Sequence, residues 1–344
     1  MQPRTFVGII VALIVASLSA CVSLGTDQGE IISESVDDPR AYLLELINKD
    51  RASVGLAAVT LGSNSAAQAH AEEMLEHGYV SHWGLDGIKP YTRFTSAGGV
   101  NYSAENVSGS LSPIQAGARY RTINPIVELW EVERGFMESS GHRANILNPW
   151  HKRVNLGIAC NRTSCAVVQQ FEGDYIEFEE RPQLTSGLFT VAGQLSDGFE
   201  FSGVQIWYDP PPHRLTLGQL DRTRCYRTGE KPVAFLNEPL PPGINYVTDV
   251  EPYTWDECSS PYEVSPDAPR LSSKPPATIR PASSIAPWTT AKSWQVEGGK
   301  FRVQADLKPM VMEHGPGIYT VVVWGEAGGE DVALTNYSIF VADN

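Results

Sequence analysis

The chain has 344 residues, more than the roughly 100–200 that one domain usually takes, so two domains are expected. Apolar residues make up 42% and charged residues 19%, which excludes wholesale disorder. Asp and Glu outnumber Lys and Arg 40 to 26, a formal charge of −14, and this is the opposite of the basic balance expected of a nucleic-acid-binding protein.

Residues 6–20, FVGIIVALIVASLSA, carry no charge and follow Arg4. The run is short for a membrane span, which needs about 20 apolar residues, and fits the apolar core of an export signal. It ends in Leu18-Ser19-Ala20-Cys21, which resembles a lipobox, the signal at which prokaryotic lipoproteins are cleaved and acylated on the new N-terminal cysteine. The expectation is a signal peptide over residues 1–20, a lipid on Cys21 that anchors the chain to a membrane, and a polar tether over 21–37. Lipidation of Cys21 leaves Cys160, Cys165, Cys225 and Cys258. Outside the cytoplasm they can form disulfides, and four cysteines allow three pairings. Cys160 and Cys165 close a short loop between two strand-like runs, so the expected pairs are 160–165 and 225–258.

From Pro39 the pattern is helical, with Tyr42, Leu43, Leu46 and Ile47 at spacings of three and four and Asp38-Pro39 as a start signal. A second helix is predicted over residues 63–77. Residues 84–117 are rich in Gly and Ser and read as loops with one short helix. A third helix is predicted over 125–138, with Ile126, Trp130, Glu133 and Met137 on one inward stripe and Trp130 as a core residue. Strands follow at 154–159 and 166–171, joined by a turn between Cys160 and Cys165. This is an α+β layer arrangement over residues 38–180.

Beyond Pro182 the helical period ends. Short strand-like runs at 188–195, 203–208, 233–236, 301–307, 318–324 and 337–341 predict a β-sandwich over 183–344, immunoglobulin-like in pattern. The Pro/Ser-rich stretch 259–293 reads as an excursion over its surface. Trp207-Tyr208 and the following Asp209-Pro-Pro-Pro-His213 read as a rigid turn beside core aromatics rather than a binding loop. Four glycosylation sequons, at Asn101, Asn106, Asn161 and Asn336, are read as chance.

The first half also holds polar residues in unusual places. Ser81-His82 follows the second helix, Ala104-Glu105-Asn106 sits in the Gly/Ser-rich middle, and GHRANILN from Gly141 follows the third helix. A glutamate on an apolar stripe is costly to bury without a partner or a metal, and two His with two Glu suit a divalent cation such as zinc. The segments LLELINKDRASVGLAAV, AEEMLEHGYVSHWG, AEN, ELWEVE and SSGHRANILNPWHKRVNLGIAC, in that order over about residues 40–178, resemble the CAP superfamily of cysteine-rich secretory, antigen 5 and pathogenesis-related 1 proteins. The resemblance implies an α-β-α sandwich with a central cleft and, carried over by position, a tetrad of His82, Glu105, Glu133 and His142. Measured from GHR, Glu138 is the neighbouring carboxylate instead, and it stays as the reserve position. Arg143 and Asn145 are expected to organise the turn after His142.

No HExxH helix, GxSxG elbow or phosphate-binding P-loop occurs, and no nucleophile stands out. The expected function is an extracytoplasmic, envelope-anchored binding module whose cleft takes a divalent metal or a lipid, sterol-like or other envelope ligand. A metal-dependent peptidase or cell-wall hydrolase and a protein-interaction scaffold are the alternatives. The sequence names no partner for the β-domain.

Overall fold

Asp38 and Pro39 start the first helix as the sequence predicts: the Asp38 carboxylate accepts the Arg40 N–H at 2.9 Å, and Pro39 occupies the first turn, where no N–H is needed. The computed structural model describes residues 38–110, 122–244, 246, 252–271, 273, 275 and 277–342, and these belong to one compact unit. The apolar run 6–20, Cys21 and the tether lie outside the described residues. Among the described residues, no helix is long and apolar enough to cross a membrane.

The first half contains α1 (Pro39–Ser53), β1 (Thr60–Leu61), α2 (Ala66–His77), α3 (Pro90–Ser96), β2 (Ser103–Ser110), α4 (Pro125–Glu138), α5 (Ser140–Ile146), β3 (Arg153–Cys160) and β4 (Cys165–Glu172). The four strands form a sheet in the order β1-β3-β4-β2. Strand β4 is buried along its whole length, because alternate side chains point into two separate helix layers. Val167 and Phe171 meet Leu43, Ile47, Leu129 and Phe136 of α1 and α4. Ala166 and Val168 meet Ala67, Ala71 and Met74 of α2. The result is an α-β-α sandwich. Helix α2 lies so close on the sheet that a Cβ on Gly157 would run into the Ala67 carbonyl.

Two sequence expectations need correction here. The buried residues of α4 are Glu128, Leu129, Val132, Glu133 and Phe136, whereas Trp130 is 48% exposed with the Arg134 guanidinium 5.2 Å from its ring centre. Of the predicted stripe, Glu133 is buried and Met137 packs partly buried against the same core, while Trp130 points outward. The second correction is β2, which runs where the sequence reads as loop. Its residues SAENVSGS have little strand propensity, yet they pair with β4 from Ser103↔Glu172 to Ser110↔Cys165.

The second half contains β5 (Ile176–Thr185), β6 (Leu188–Leu195), β7 (Glu200–Asp209), α6 (Leu217–Arg222), β8 (Lys231–Asn237), β9 (Pro252–Cys258), β10 (Ile279–Ile285), β11 (Trp288–Thr290), β12 (Ser293–Glu297), β13 (Lys300–Asp306), α7 (Lys308–His314), β14 (Gly317–Ala327), β15 (Glu330–Ala333) and β16 (Tyr337–Val341). A sheet in the order β11-β8-β7-β14-β15, with β16 also on β14, packs on a sheet in the order β12-β13-β6-β5. Phe189, Val191 and Val303 from the smaller sheet meet Val204, Ile206, Tyr319, Val321 and Val323 from the larger one. Strands β9 and β10 pair antiparallel as a separate two-stranded sheet. The disulfides are Cys160–Cys165 and Cys225–Cys258, the pairs expected from the sequence.

The two halves are joined by specific polar contacts. Asn336 exchanges two hydrogen bonds with the Ser103 backbone, at 3.1 and 2.9 Å. Lys89 forms a buried ion pair with Asp209 at 2.7 Å. Trp207, Tyr208 and Asp209 are buried, while Pro211 and His213 are exposed. Part of the Pro/Ser-rich stretch reaches the first half: Arg270 pairs with Asp221 at 2.6 Å and donates to the Gly78 carbonyl at 3.0 Å. The amides of Asn101, Asn106 and Asn336 are buried and hydrogen-bonded, which fits the reading of their sequons as chance.

Candidate functional site

The loop after α2 brings His82 against β2. Its Nδ1 lies 3.0 Å from Glu105 Oε1, while Glu105 Oε2 accepts from Arg93 Nη2 at 3.0 Å. Arg93 also donates to the His82 carbonyl at 3.0 Å and the Ile88 carbonyl at 2.8 Å, locking the loop from below. Glu105 is 2% exposed. Burial pushes its carboxyl up, but Arg93 and the His82 hydrogen bond outweigh this and hold it below its ordinary range. Glu105 is therefore an ionised clamp with both oxygens committed. It fixes the imidazole and leaves Nε2 as the nitrogen to meet a ligand.

His142, on α5, faces His82 with ring centres 6.5 Å apart, and it sits edge-on to Phe136 at 4.8 Å. Its Nδ1 is buried without a partner. Burial, then the charges of His82 and Arg224, push its pKa down to about 4, so the ring is neutral near pH 7 and able to donate a lone pair. The rest of the GHRANIL motif is structural. Arg143 donates to the Met137 carbonyl at 3.0 Å, Asn145 donates to Asn106 Oδ1 at 2.9 Å and to the Glu105 carbonyl at 3.3 Å, and Ile146 is core. The turn-organising role predicted for Arg143 and Asn145 is what these bonds do.

Glu133 is placed elsewhere. It is 3% exposed, accepts a bond from Gln169 and does not line the cleft. Its Oε1 has no donor, and its neighbour is Asp50. Burial, together with the Asp50 charge, raises its pKa to about 8, so it carries a proton at neutral pH that it can share with Asp50. Glu138, the reserve position, is exposed and bonded to Arg134 at 3.0 Å. The structure thus brings together His82, Glu105 and His142 and sets both predicted helix carboxylates apart from them. Among the described residues, no group of three or more His, Cys, Asp or Glu side chains converges as a metal cage. What fits a divalent cation is narrower: two facing imidazoles, one of them oriented by a carboxylate behind it.

The protonated Glu133 makes a stability prediction. The folded chain keeps this proton up to about pH 8, whereas a free glutamate releases it near 4.5, so its contribution weakens stability as pH rises through that window. Glu133→Gln, which keeps a donor toward Asp50, is expected to stabilise the fold at pH 9 by at least about 1 kcal/mol. It is also expected to flatten the loss between pH 5 and 8. Thermal unfolding across pH checks this, and equal slopes in both proteins would refute it.

Three contributors were invisible in the sequence. Arg93 gives no local signal on its short helix. Tyr226 and Arg224 come from the second half: the Tyr226 hydroxyl accepts the Glu105 backbone N–H at 2.9 Å, and its ring lies 4.8 Å from that of His82. With Ala277 and Ile279 they wall one side of a cleft of about 550 Å³.

Residues 44–171 match the model of the CAP family, the cysteine-rich secretory protein family. This segment is a CAP domain. An extracellular protein containing an SCP domain from Bacillus anthracis str. Ames is similar at 18% identity and a TM-score of 0.32, over 39% of this chain and 40% of that one. An outer surface protein from Borrelia burgdorferi is similar at 15% identity and a TM-score of 0.33, over 41% of this chain and 96% of that one. The chain thus spans about 40% of the length of the first of these structures. No curated protein matches it.

Proposed function

We propose that this chain is an exported, lipid-anchored binding protein whose CAP cleft takes a divalent cation, zinc foremost, on His82 and His142. The observation that carries the reading is the Arg93–Glu105–His82 relay, with 3.0 Å at each step, which holds one imidazole facing another. A carboxylate behind a histidine fixes its tautomer and raises its basicity as a ligand. The remaining coordination positions fall to water or to a bound envelope molecule. Cys21 at the end of an export core supplies the membrane anchor, as the sequence pattern implies.

The hydrolase alternative calls for a glutamate in the cleft as the base that activates a metal-bound water. Glu105 has both oxygens engaged and a lowered pKa, and Glu133 does not line the cleft. Binding is therefore the reading the geometry favours. Calorimetric zinc titration of the chain lacking residues 1–21 tests it. His82→Ala with His142→Ala is expected to abolish binding, and Glu105→Gln to weaken it by about 10–100-fold. Unchanged zinc affinity in the double variant would overturn the assignment.

A further inference from the structure

The outer face of the larger sandwich sheet carries a second concavity, far richer in aromatic rings than the cleft. Side-chain alternation sends Val204, Ile206, Ala234, Leu236, Val321 and Val323 into the core. The opposite face carries Gly203, Gln205, Phe235, Asn237, Val322 and Trp324, of which Phe235 and Val322 are buried in a cluster with Trp207, Tyr253 and Trp255. Cross-strand register builds one row as Val322–Gln205–Phe235–Trp288. In the next row Trp324 stands between Gly203 and Ala333, the two smallest side chains available. A Cβ on Gly203 would meet nothing within 4 Å, so the floor beside Trp324 is open.

The resulting groove is about 480 Å³, within the range of ligand sites. Trp288 is 55% exposed and held edge-on by Phe235 at 5.5 Å, and Phe235 is in turn met by Tyr253 at 4.9 Å. The rings are thus fixed before any ligand arrives, which lowers the cost of binding. From β14 to β11 the face spans three strand spacings, about 14 Å. Its polar lining is Ser202, Gln205, Asn237, Glu238 and Asp331, with no lysine or arginine among the described residues.

We propose that this groove binds a neutral oligosaccharide. The electron-rich faces of Trp288 and Trp324 suit the C–H face of a pyranose ring. The carboxylates of Glu238 and Asp331 are acceptors only, and they pair with hydroxyl donors at the sugar edge. Their charge rejects anionic ligands. A proline-rich peptide also favours aromatic grooves, but it offers mainly carbonyl acceptors, which these carboxylates cannot bond.

Calorimetry on the full chain, in a detergent without a sugar headgroup, tests the proposal. The probes are the neutral hexasaccharides of β-1,4-linked N-acetylglucosamine, β-1,4-linked glucose, α-1,4-linked glucose and β-1,4-linked mannose, with a proline decamer as the peptide arm. Saturable binding of at least one hexasaccharide is expected. Trp288→Ala and Gly203→Leu should each weaken it at least about tenfold. The leucine grows into open space, so that variant keeps its melting temperature while it fills the groove. His82→Ala with His142→Ala should leave sugar binding unchanged, which separates this site from the cleft. Binding to no hexasaccharide, binding that survives both groove substitutions, or binding of the decamer alone would overturn the proposal.

Discussion

Replacing Arg51 by methionine is expected to destabilise the fold by about 3–5 kcal/mol. Arg51 sits in α1, is 1% exposed, and has no carboxylate partner among the described ion pairs. Its guanidinium instead donates to four backbone carbonyls: Ala57 at 2.8 Å, Ile146 at 2.7 Å, Asn148 at 2.9 Å and His151 at 3.4 Å. Three of these lie at or just past the end of the GHRANIL segment, where a helix ends and its last carbonyls lack intrahelical partners. One planar fork satisfies groups that no local residue reaches. Methionine would fill the volume but strand those carbonyls in a dry interior. Arg51→Lys is expected to recover little, because a compact ammonium cannot span the fork's acceptors. Urea unfolding of the three proteins checks this, and a loss below about 1 kcal/mol for the methionine variant would contradict it. Zinc affinity should fall as well, since α5 carries His142.

Arg51 also shows where reading the sequence stops. Helices α1, α2 and α4 and strands β3 and β4 follow from apolar periodicity, with Asp38 and Asn124 capping α1 and α4. The cleft histidines stand in short motifs, so His82 and His142 were legible with their neighbours. What was not legible depends on contacts across long stretches of chain. Strand β2 exists because β4 supplies its hydrogen bonds, not because SAENVSGS prefers an extended backbone. Tyr226 reaches Glu105 across 121 residues. Glu133 does point inward as its stripe implies, but an inward helix position meets whichever layer it packs on. That layer holds Asp50 and Gln169 rather than the histidines. Periodicity reports that a residue is buried, and only the tertiary pairing says against what.

Asp209→Ala is expected to cost about 3–5 kcal/mol, because it leaves the Lys89 ammonium buried without its counter-ion. Lys89 and Asp209 are 5% and 10% exposed at their side chains, and Nζ lies 2.7 Å from Oδ1. The other carboxylate oxygen accepts from the Tyr91 hydroxyl at 3.1 Å. Lys89 also donates to the Arg227 carbonyl at 3.2 Å, and Tyr91 accepts the Gly229 N–H at 3.0 Å. This network therefore ties the CAP domain both to the end of β7 and to the segment that carries Tyr226 and Arg224 into the cleft. Adding Lys89→Met to Asp209→Ala should restore part of the lost stability, since an apolar side chain strands no charge. Urea unfolding of both singles and the double gives the coupling, and a double variant whose loss equals the sum of the two single losses would contradict the pairing. The cleft should report the same loss. Asp209→Ala weakens the anchoring of the Arg227–Gly229 backbone next to Tyr226, so zinc affinity is expected to drop although no cleft-lining residue has changed. Recovery of that affinity in the double variant would trace the effect to the stranded ammonium rather than to Asp209 itself.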